Sequence, residues 1–164
     1  MTHYARYAVI VIVLLVIQAT IVPFISLAGV TPDVLLIFVV VVALREGQIP
    51  GTITGFVVGL TSDIVAGDFL GLGALTKTIA GFTAGYFYNQ TNPEQSVSTY
   101  TFFITVAAAG LLHNIIYYGF LLQGLPVSVA AIILKFMIGS TAYTVLVSLV
   151  PYFYFNSQTK TIRT

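Results

Sequence analysis

Residues 31–47 read TPDVLLIFVVVVALREG, and the eleven residues from Val34 to Leu44 contain no polar side chain. Similar apolar runs fill almost the whole chain, which is 58% hydrophobic and 7% charged, with a mean hydropathy of +1.01. An average soluble domain has roughly a quarter charged residues, so these few polar groups cannot cover the apolar surface in water. The sequence therefore predicts a protein embedded in lipid.

The apolar runs predict helices rather than a β-barrel. In hydrocarbon only helices and closed barrels satisfy their own backbone, and barrel strands alternate apolar and polar residues over about ten positions. These runs are continuous and longer, and a spanning helix needs roughly 20 mostly apolar residues. We therefore expect residues 1–164 to form one all-α integral membrane domain, a six-transmembrane-helix bundle. The predicted spans are 7–24, 31–46, 50–65, 72–88, 98–122 and 126–152.

The second span begins with helix-start signals but is short. Thr31 is predicted as the N-cap, Pro32 suits the first turn, and Asp33 complements the positive end of the helix dipole. Its uninterrupted apolar core is eleven residues long. The span is therefore either extended by snorkelling ends or re-entrant.

Basic residues predict the orientation of the bundle. With six spans, both termini share a side with the second and fourth loops. Those segments carry the basic residues Arg6, Arg45, Lys160 and Arg163. The other loops carry none when Lys77 and Lys135 are counted inside spans, so the positive-inside tendency predicts both termini in the cytoplasm.

This topology places five ionisable side chains in the outer half of the bundle: Asp33, Asp63, Lys77, His113 and Lys135. A charge inside the membrane is costly, so each is expected to have a partner or a water path. One interpretation pairs Asp63 with Lys77 and Asp33 with Lys135; the other is a ligand pocket that opens outward. Internal pairing is favoured, because lysines snorkel and carboxylates at helix ends are often solvated.

His113 and Asn114 lie side by side in the fifth span. We expect them to form hydrogen bonds between helices rather than a proton relay, because no carboxylate falls at mid-depth in the predicted topology.

Glycines recur at four-residue spacing on two neighbouring spans. Gly51, Gly55 and Gly59 follow one face of the third span, and Gly81 and Gly85 repeat the spacing on the fourth. A helix face without side chains lets another helix approach closely. The approaching helix is either a neighbouring span of this chain or the transmembrane helix of a partner.

The sequence contains no pattern that indicates an enzyme. No nucleophile, base and orienting group occur at suggestive spacing, and the chain has no cysteine. The glycine-dense residues 67–75 lack the GK[ST] ending of a phosphate-binding loop. Neither a metal-ligand cluster nor a basic patch for nucleic acid is present. We therefore expect a non-catalytic protein without cofactor, metal or nucleic acid.

The order of motifs in the first half of the chain is specific. Pro32-Asp33 opens an apolar span and residues 43–47 read ALREG. Residues 55–63 then read GFVVGLTSD, residues 71–75 GLGAL and residues 81–86 GFTAGY. This order and spacing resemble the rod shape-determining protein MreD family. Within these motifs we expect Asp33, Arg45, Glu46 and Asp63 to set the fold, together with Gly47 and Gly71 at the turns.

The resemblance implies a component of the bacterial cell-elongation machinery, the elongasome, in the inner membrane. Such proteins accompany the bitopic protein MreC and support peptidoglycan synthesis with the RodA glycosyltransferase, its transpeptidase partner and the MreB cytoskeleton. The resemblance therefore implies a membrane scaffold for these partners.

The family resemblance also implies a helix arrangement like that of the substrate-binding subunits of energy-coupling-factor transporters. This likeness leaves a vitamin-binding subunit as the alternative function. The scaffold is favoured because the chain has no tryptophan to stack on a vitamin, and many tyrosines lie near predicted cytoplasmic ends instead. These tyrosines are Tyr86, Tyr88, Tyr100, Tyr152 and Tyr154.

The predicted topology is testable with reporters that work on only one side of the membrane. We expect alkaline phosphatase to be inactive, and green fluorescent protein to be fluorescent, when either is fused to the amino or the carboxyl end. Opposite signals from the two ends would contradict an even number of crossings.

Overall fold

The described part of the chain is almost entirely helical. A computed structural model describes residues 2–27, 29–67, 69–91, 96–97, 100–121 and 127–161. The α-helices are α1 Thr2–Thr20, α2 Val34–Glu46, α3 Gln48–Ala66, α4 Leu72–Ala84, α5 Tyr100–Leu121, α6 Val127–Val147 and α7 Leu149–Thr161. Short 3-10 helices follow α1 and α4, at Val22–Ile25 and Gly85–Phe87. Within these described residues, three segments are long and apolar enough to cross a membrane: Gln48–Ala66, Tyr100–Leu121 and Leu134–Ser157. This agrees with the predicted helical membrane protein.

α2 lies at the centre of the fold. It contacts α1, α3, α4, α5 and α6, and every residue from Leu35 to Leu44 except Phe38 is buried. A helix that is apolar on all faces is typical of such a buried position. The apolar run that predicted lipid contact therefore packs mainly against protein.

The start of α2 differs from the prediction. The helix begins at Val34 rather than Thr31, and the N-cap is Asp33, whose Oδ1 accepts a hydrogen bond from the Leu36 N–H at 2.8 Å. Pro32 precedes the cap instead of lying in the first turn. The carboxylate reaches the free N–H groups of the first turn, so Asp33 takes the cap position that was predicted for Thr31.

A single residue, Gly47, connects α2 to α3. Its φ of +99° lies in the region that favours glycine, and α3 begins at the next residue. A Cβ at this position would also touch the ring of Tyr88. The chain therefore reverses direction between the two helices without a loop.

The glycines of α3 face α4 of the same chain. A Cβ on Gly55 would overlap the backbone carbonyl of Lys77, and one on Gly59 would overlap the backbone of Gly73 and Ala74. Gly51 meets Gly81, and Gly85 meets Gln48, in the same way. The helix that approaches the glycine stripe is thus a neighbouring span, and the two backbones gain dispersion contact along their length.

Helical structure extends beyond the residues of the last predicted span, 126–152. Helical structure continues through α7 to Thr161, with a break at Ser148. Pro151 lacks the N–H that would bond to the Val147 carbonyl four residues earlier, which explains the break. The helical pattern resumes with the bond from Tyr152 N–H to the Ser148 carbonyl at 3.2 Å.

The contact between α3 and α4 predicts different effects for two glycine-to-alanine substitutions. We expect Gly55→Ala to lower the free energy of unfolding by about 1–3 kcal/mol, because the added methyl meets rigid backbone. We expect Gly119→Ala in α5 to be neutral or stabilising by up to about 1 kcal/mol, because its Cβ would meet no atom within 4 Å and alanine favours helix. Unfolding by detergent titration in mixed micelles measures both, and equal effects would contradict the packing described here.

Candidate functional site

A buried ion pair lies at the amino end of α2. The Lys77 ammonium is 2.9 Å from Oδ2 of Asp33, and His113 Nε2 is 3.7 Å from the same oxygen. The side chains of Lys77 and His113 are 7% and 9% exposed, and that of Asp33 is 19% exposed. These three residues, from the start of α2, from α4 and from α5, are called the Asp33 cluster below.

Asp33 bonds to α6 as well as to α4 and its own helix. Its backbone N–H donates to Thr144 Oγ1 at 3.0 Å, and the Thr144 hydroxyl in turn donates to the Ser140 carbonyl at 2.8 Å. With the α2 cap and the Lys77 ion pair, this residue connects three helices through direct bonds. A charged group that accepts several hydrogen bonds at once holds its neighbours in one register.

Two further polar side chains hold the extended residues before α2. Gln18 of α1 donates to the Pro32 carbonyl at 3.2 Å and accepts from the Val34 N–H at 3.0 Å. Ser140 of α6 donates to the Thr31 carbonyl at 2.9 Å. Backbone groups that are shielded from water need such partners, and Gln18 supplies them for the part-buried Pro32 carbonyl and Val34 N–H. Sequence reasoning did not assign Gln18, Ser140 or Thr144 to the site, although each is a polar residue inside a predicted span.

Asn114 forms a second polar contact between α5 and α6. Its amide donates to Thr141 Oγ1 at 2.8 Å and to the Met137 carbonyl at 3.3 Å. Asn114 and its neighbour His113 are both buried, and they contact different helices. The two adjacent residues therefore connect α5 to α6 and to the start of α2.

The pairing predicted for the five outer ionisable residues is wrong. Lys77 pairs with Asp33 rather than with Asp63, whose Oδ2 accepts from the backbone N–H of Gly71 at 2.9 Å and of Ala74 at 3.2 Å. Asp63 thus satisfies the amino end of α4, where helix N–H groups and the helix dipole favour a carboxylate. Lys135 pairs with neither Asp33 nor Asp63, and its side chain is exposed.

Lys135 lies away from the Asp33 cluster because α6 runs parallel to α2. Thr144 meets Asp33 at one end, and the Arg45 guanidinium lies 5.0 Å from the Phe155 ring centroid near the other end. Lys135 precedes Thr144 by nine residues, so it lies about 13 Å beyond the cluster along the helix axis. It therefore does not reach Asp33.

The carboxyl end of α2 is held by aromatic residues. The Tyr7 hydroxyl of α1 donates to Oε1 of Glu46, and the Arg45 guanidinium lies over Phe155 of α7. A cation over an aromatic face gains electrostatic attraction while the ring stays in an apolar environment. Arg45, Glu46 and Gly47 thus fix one end of the central helix, and the Asp33 cluster fixes the other.

The described residues hold no group of three or more His, Cys, Asp or Glu side chains that fits a metal ion. An apolar cleft of about 330 Å³ lies between the start of α4 and the end of α5. Its lining side chains are Phe69, Leu70, Leu72, Leu75, Phe120 and Leu121. The cleft is separate from the Asp33 cluster and has no polar side chain in its lining, so the two features do not form one ligand site.

The ion pair in the Asp33 cluster predicts coupled effects of substitution. We expect Asp33→Asn to lower the free energy of unfolding by about 3–5 kcal/mol, because asparagine keeps the helix cap but leaves a buried lysine unpaired. The double variant Asp33→Asn with Lys77→Gln should recover part of this loss, because it removes the unpaired charge. Detergent-titration unfolding of the two single variants and the double variant measures the coupling. Additive effects would contradict a direct pair.

Comparison with known proteins identifies the family. No curated protein and no solved structure matches the chain. The family model described as rod shape-determining protein MreD matches residues 3–158, which is nearly the whole chain of 164 residues. The chain belongs to the MreD family of rod shape-determining proteins.

Proposed function

We propose that this protein is a non-catalytic scaffold of the bacterial rod-shape machinery. In this proposal it binds the single transmembrane helix of an MreC-like bitopic protein and supports peptidoglycan synthesis. The RodA glycosyltransferase, its transpeptidase partner and the MreB cytoskeleton act in the same assembly. The observation that carries the proposal is the family match over residues 3–158.

The use of polar groups within the fold also supports a scaffold. The carboxylates of Asp33 and Asp63 cap helices, Lys77 neutralises Asp33, and Glu46 accepts from Tyr7. Each of these groups has a structural partner inside the chain. An enzyme of this kind would instead need a nucleophile or a base held ready for a substrate.

We further propose that the chain crosses the inner membrane six times with both termini in the cytoplasm. α2 is then about 20 Å long in a hydrocarbon layer of about 30 Å. With Arg45 and Glu46 at the cytoplasmic boundary, Asp33 lies about 10 Å below the outer boundary. Lys135 lies about 13 Å further out along α6, at the level of the headgroups rather than deep in the bilayer. A buried ion pair and an exposed lysine then each lie where their charge is tolerated.

The partner helix is expected to contact stripes of apolar side chains that face away from the protein. The glycine faces of α3 and α4 already pack against each other, so they are not free to receive it. The exposed stripes are Val9, Ile12, Val13 and Val16 on α1; Ile49, Ile53, Phe56 and Ile64 on α3; Ile104, Leu111 and Ile115 on α5; and Leu134, Ile138 and Leu146 on α6. Helices in lipid associate through shape and dispersion contacts, which such stripes provide.

The transporter alternative is not favoured by any specific observation. A vitamin site combines apolar walls with a few polar groups that orient the ligand. The apolar cleft between α4 and α5 has no polar side chain in its lining, and the polar groups of the Asp33 cluster bond mainly to one another and to the backbone.

The scaffold proposal predicts that one stripe crosslinks to the partner. Photoreactive residues are placed one per stripe, at Val16, Ile53, Ile104 and Ile138, in cells that also produce the MreC-like protein of the same organism. We expect the partner to be captured from one helix face, because a single transmembrane helix covers one stripe at a time. The captured protein is identified by its mass on denaturing gels and by peptide sequencing.

The crosslinking experiment has matched controls inside the fold. Val58 and Val106 are fully buried on α3 and α5, so photoreactive residues there should capture no partner. If none of the four stripes captured the MreC-like protein while the variants remained in the membrane, the proposed binding would be wrong.

A further inference from the structure

The interior face of α5 is packed along most of its length and open at its carboxyl end. Val106, His113 and Phe120 follow one another at seven-residue spacing, which is about two helical turns, so they share one face of the helix. Val106 is fully buried and His113 is 7% exposed, but Phe120 is 54% exposed. An apolar cleft of about 330 Å³ lies beside Phe120, between the end of α5 and the start of α4. The face that forms the core lower down therefore continues into an unfilled apolar space.

The walls of this cleft favour an apolar occupant. The side chains that line it, such as Phe69, Leu72 and Leu75, contain only carbon and hydrogen. The N–H of Gly71, the glycine in the lining, already donates to Asp63. Apolar walls without an opposing surface lose the dispersion contacts that a packed core has. An apolar group of the right shape restores those contacts, whereas a polar one would lose its hydrogen bonds there.

The cleft lies near one boundary of the hydrocarbon layer. Phe120 is seven residues beyond His113 on α5, and Leu72 is five residues before Lys77 on α4. At 1.5 Å per residue, both lie about 8–10 Å beyond the Asp33 cluster. In the proposed topology Asp33 lies about 10 Å below the outer boundary, so the cleft is at the level where the acyl chains of the outer leaflet begin.

The size of the cleft distinguishes an acyl chain from a helix. A helix about 10 Å wide fills roughly 420 Å³ per turn, so the cleft is too small for even one turn of a partner helix. A methylene group takes about 27 Å³, close to the roughly 30 Å³ share of a water molecule. The 330 Å³ of the cleft therefore holds about ten methylene groups, a large part of one acyl chain.

We propose that the apolar cleft between α4 and α5 binds an acyl chain of a phospholipid from the outer leaflet. The bound chain completes the packing around Phe120 and joins the open ends of the two helices. The choice of leaflet rests on the proposed topology, which the reporter fusions test separately. The acyl chain as occupant depends neither on that topology nor on the scaffold function.

Retention of lipid by the purified protein gives the test. The full-length protein is delipidated in a mild detergent, incubated with one phospholipid at a time at equal concentration, and analysed by native mass spectrometry. The lipids are dioleoyl phosphatidylcholine, dioleoyl phosphatidylglycerol and dihexanoyl phosphatidylcholine. We expect one retained molecule of either dioleoyl lipid and little of the dihexanoyl lipid, because the cleft contacts the chain and not the headgroup.

Paired leucine-to-tryptophan substitutions locate the retained lipid. Leu75→Trp with Leu121→Trp places two indoles in the cleft, and we expect retention to fall about fivefold because less of the cleft is left for a chain. The matched control is Leu111→Trp with Leu146→Trp, two exposed leucines that do not line the cleft. We expect the control to retain lipid as the unchanged protein does.

A photoreactive residue in place of Phe120 identifies the occupant in cells. We expect an adduct with the mass of a phospholipid. A protein-sized adduct, from a partner or from a second copy of this chain, would overturn the proposal, and so would no adduct. It would also be overturned by no retained lipid, by retention that follows the headgroup rather than the chain, or by equal loss in both paired variants. If the cleft variant does not fold, the chain-length comparison on the unchanged protein still decides.

Discussion

The fold depends on hydrogen-bond partners for the backbone groups at the amino end of α2, a short helix at the centre of the protein. α2 has 13 residues, and its first turn begins among other helices, at the buried Lys77 and His113 side chains. The free N–H groups of a helix start and the extended residues before it would be costly there without partners. Asp33, Gln18, Ser140 and Thr144 supply those partners, and they come from the start of α2, from α1 and, for the last two, from α6. These four polar residues thus serve one structural need.

The ion pair in turn depends on the glycines. Lys77 reaches Asp33 because α4 lies directly against α3, with the Lys77 carbonyl in the place that a Cβ of Gly55 would fill. A side chain at Gly55 would move α4 away and with it the cation that neutralises Asp33. Asp63 strengthens the same contact by capping α4 from the end of α3. Close backbone packing and charge neutralisation are therefore one arrangement, and a change in either affects both.

The sequence predicted the helices and their close packing better than it predicted which charged side chains pair. Apolar runs and the Gly51, Gly55 and Gly59 spacing are properties of single segments, so they are readable without knowing which helices meet. Whether Lys77 pairs with Asp33 or with Asp63 depends on the rotation and register of three helices. Both carboxylates lie at helix ends, and only the fold shows that the Asp63 carboxylate accepts hydrogen bonds from backbone N–H groups at the start of α4. α7 continues past Tyr152 to Thr161, because a helix can extend beyond its apolar residues into polar ones, here from Asn156 onward.

In the proposed scaffold, the inward use of glycines and charges determines which surface is left for a partner helix. What remains on the outside of α1, α3 and α5 is chiefly branched aliphatic side chains. Lipid tails are as apolar as these side chains, so burial alone gives a partner helix little advantage over lipid. A specific partner must gain affinity from shape complementarity to a surface that does not rearrange on binding, because ordering a loose surface costs free energy. The bonds at both ends of α2 and the backbone contact between α3 and α4 supply that rigidity. The proposed scaffold in lipid thus depends on polar bonds inside the protein, away from the apolar stripes that are proposed to meet its partner.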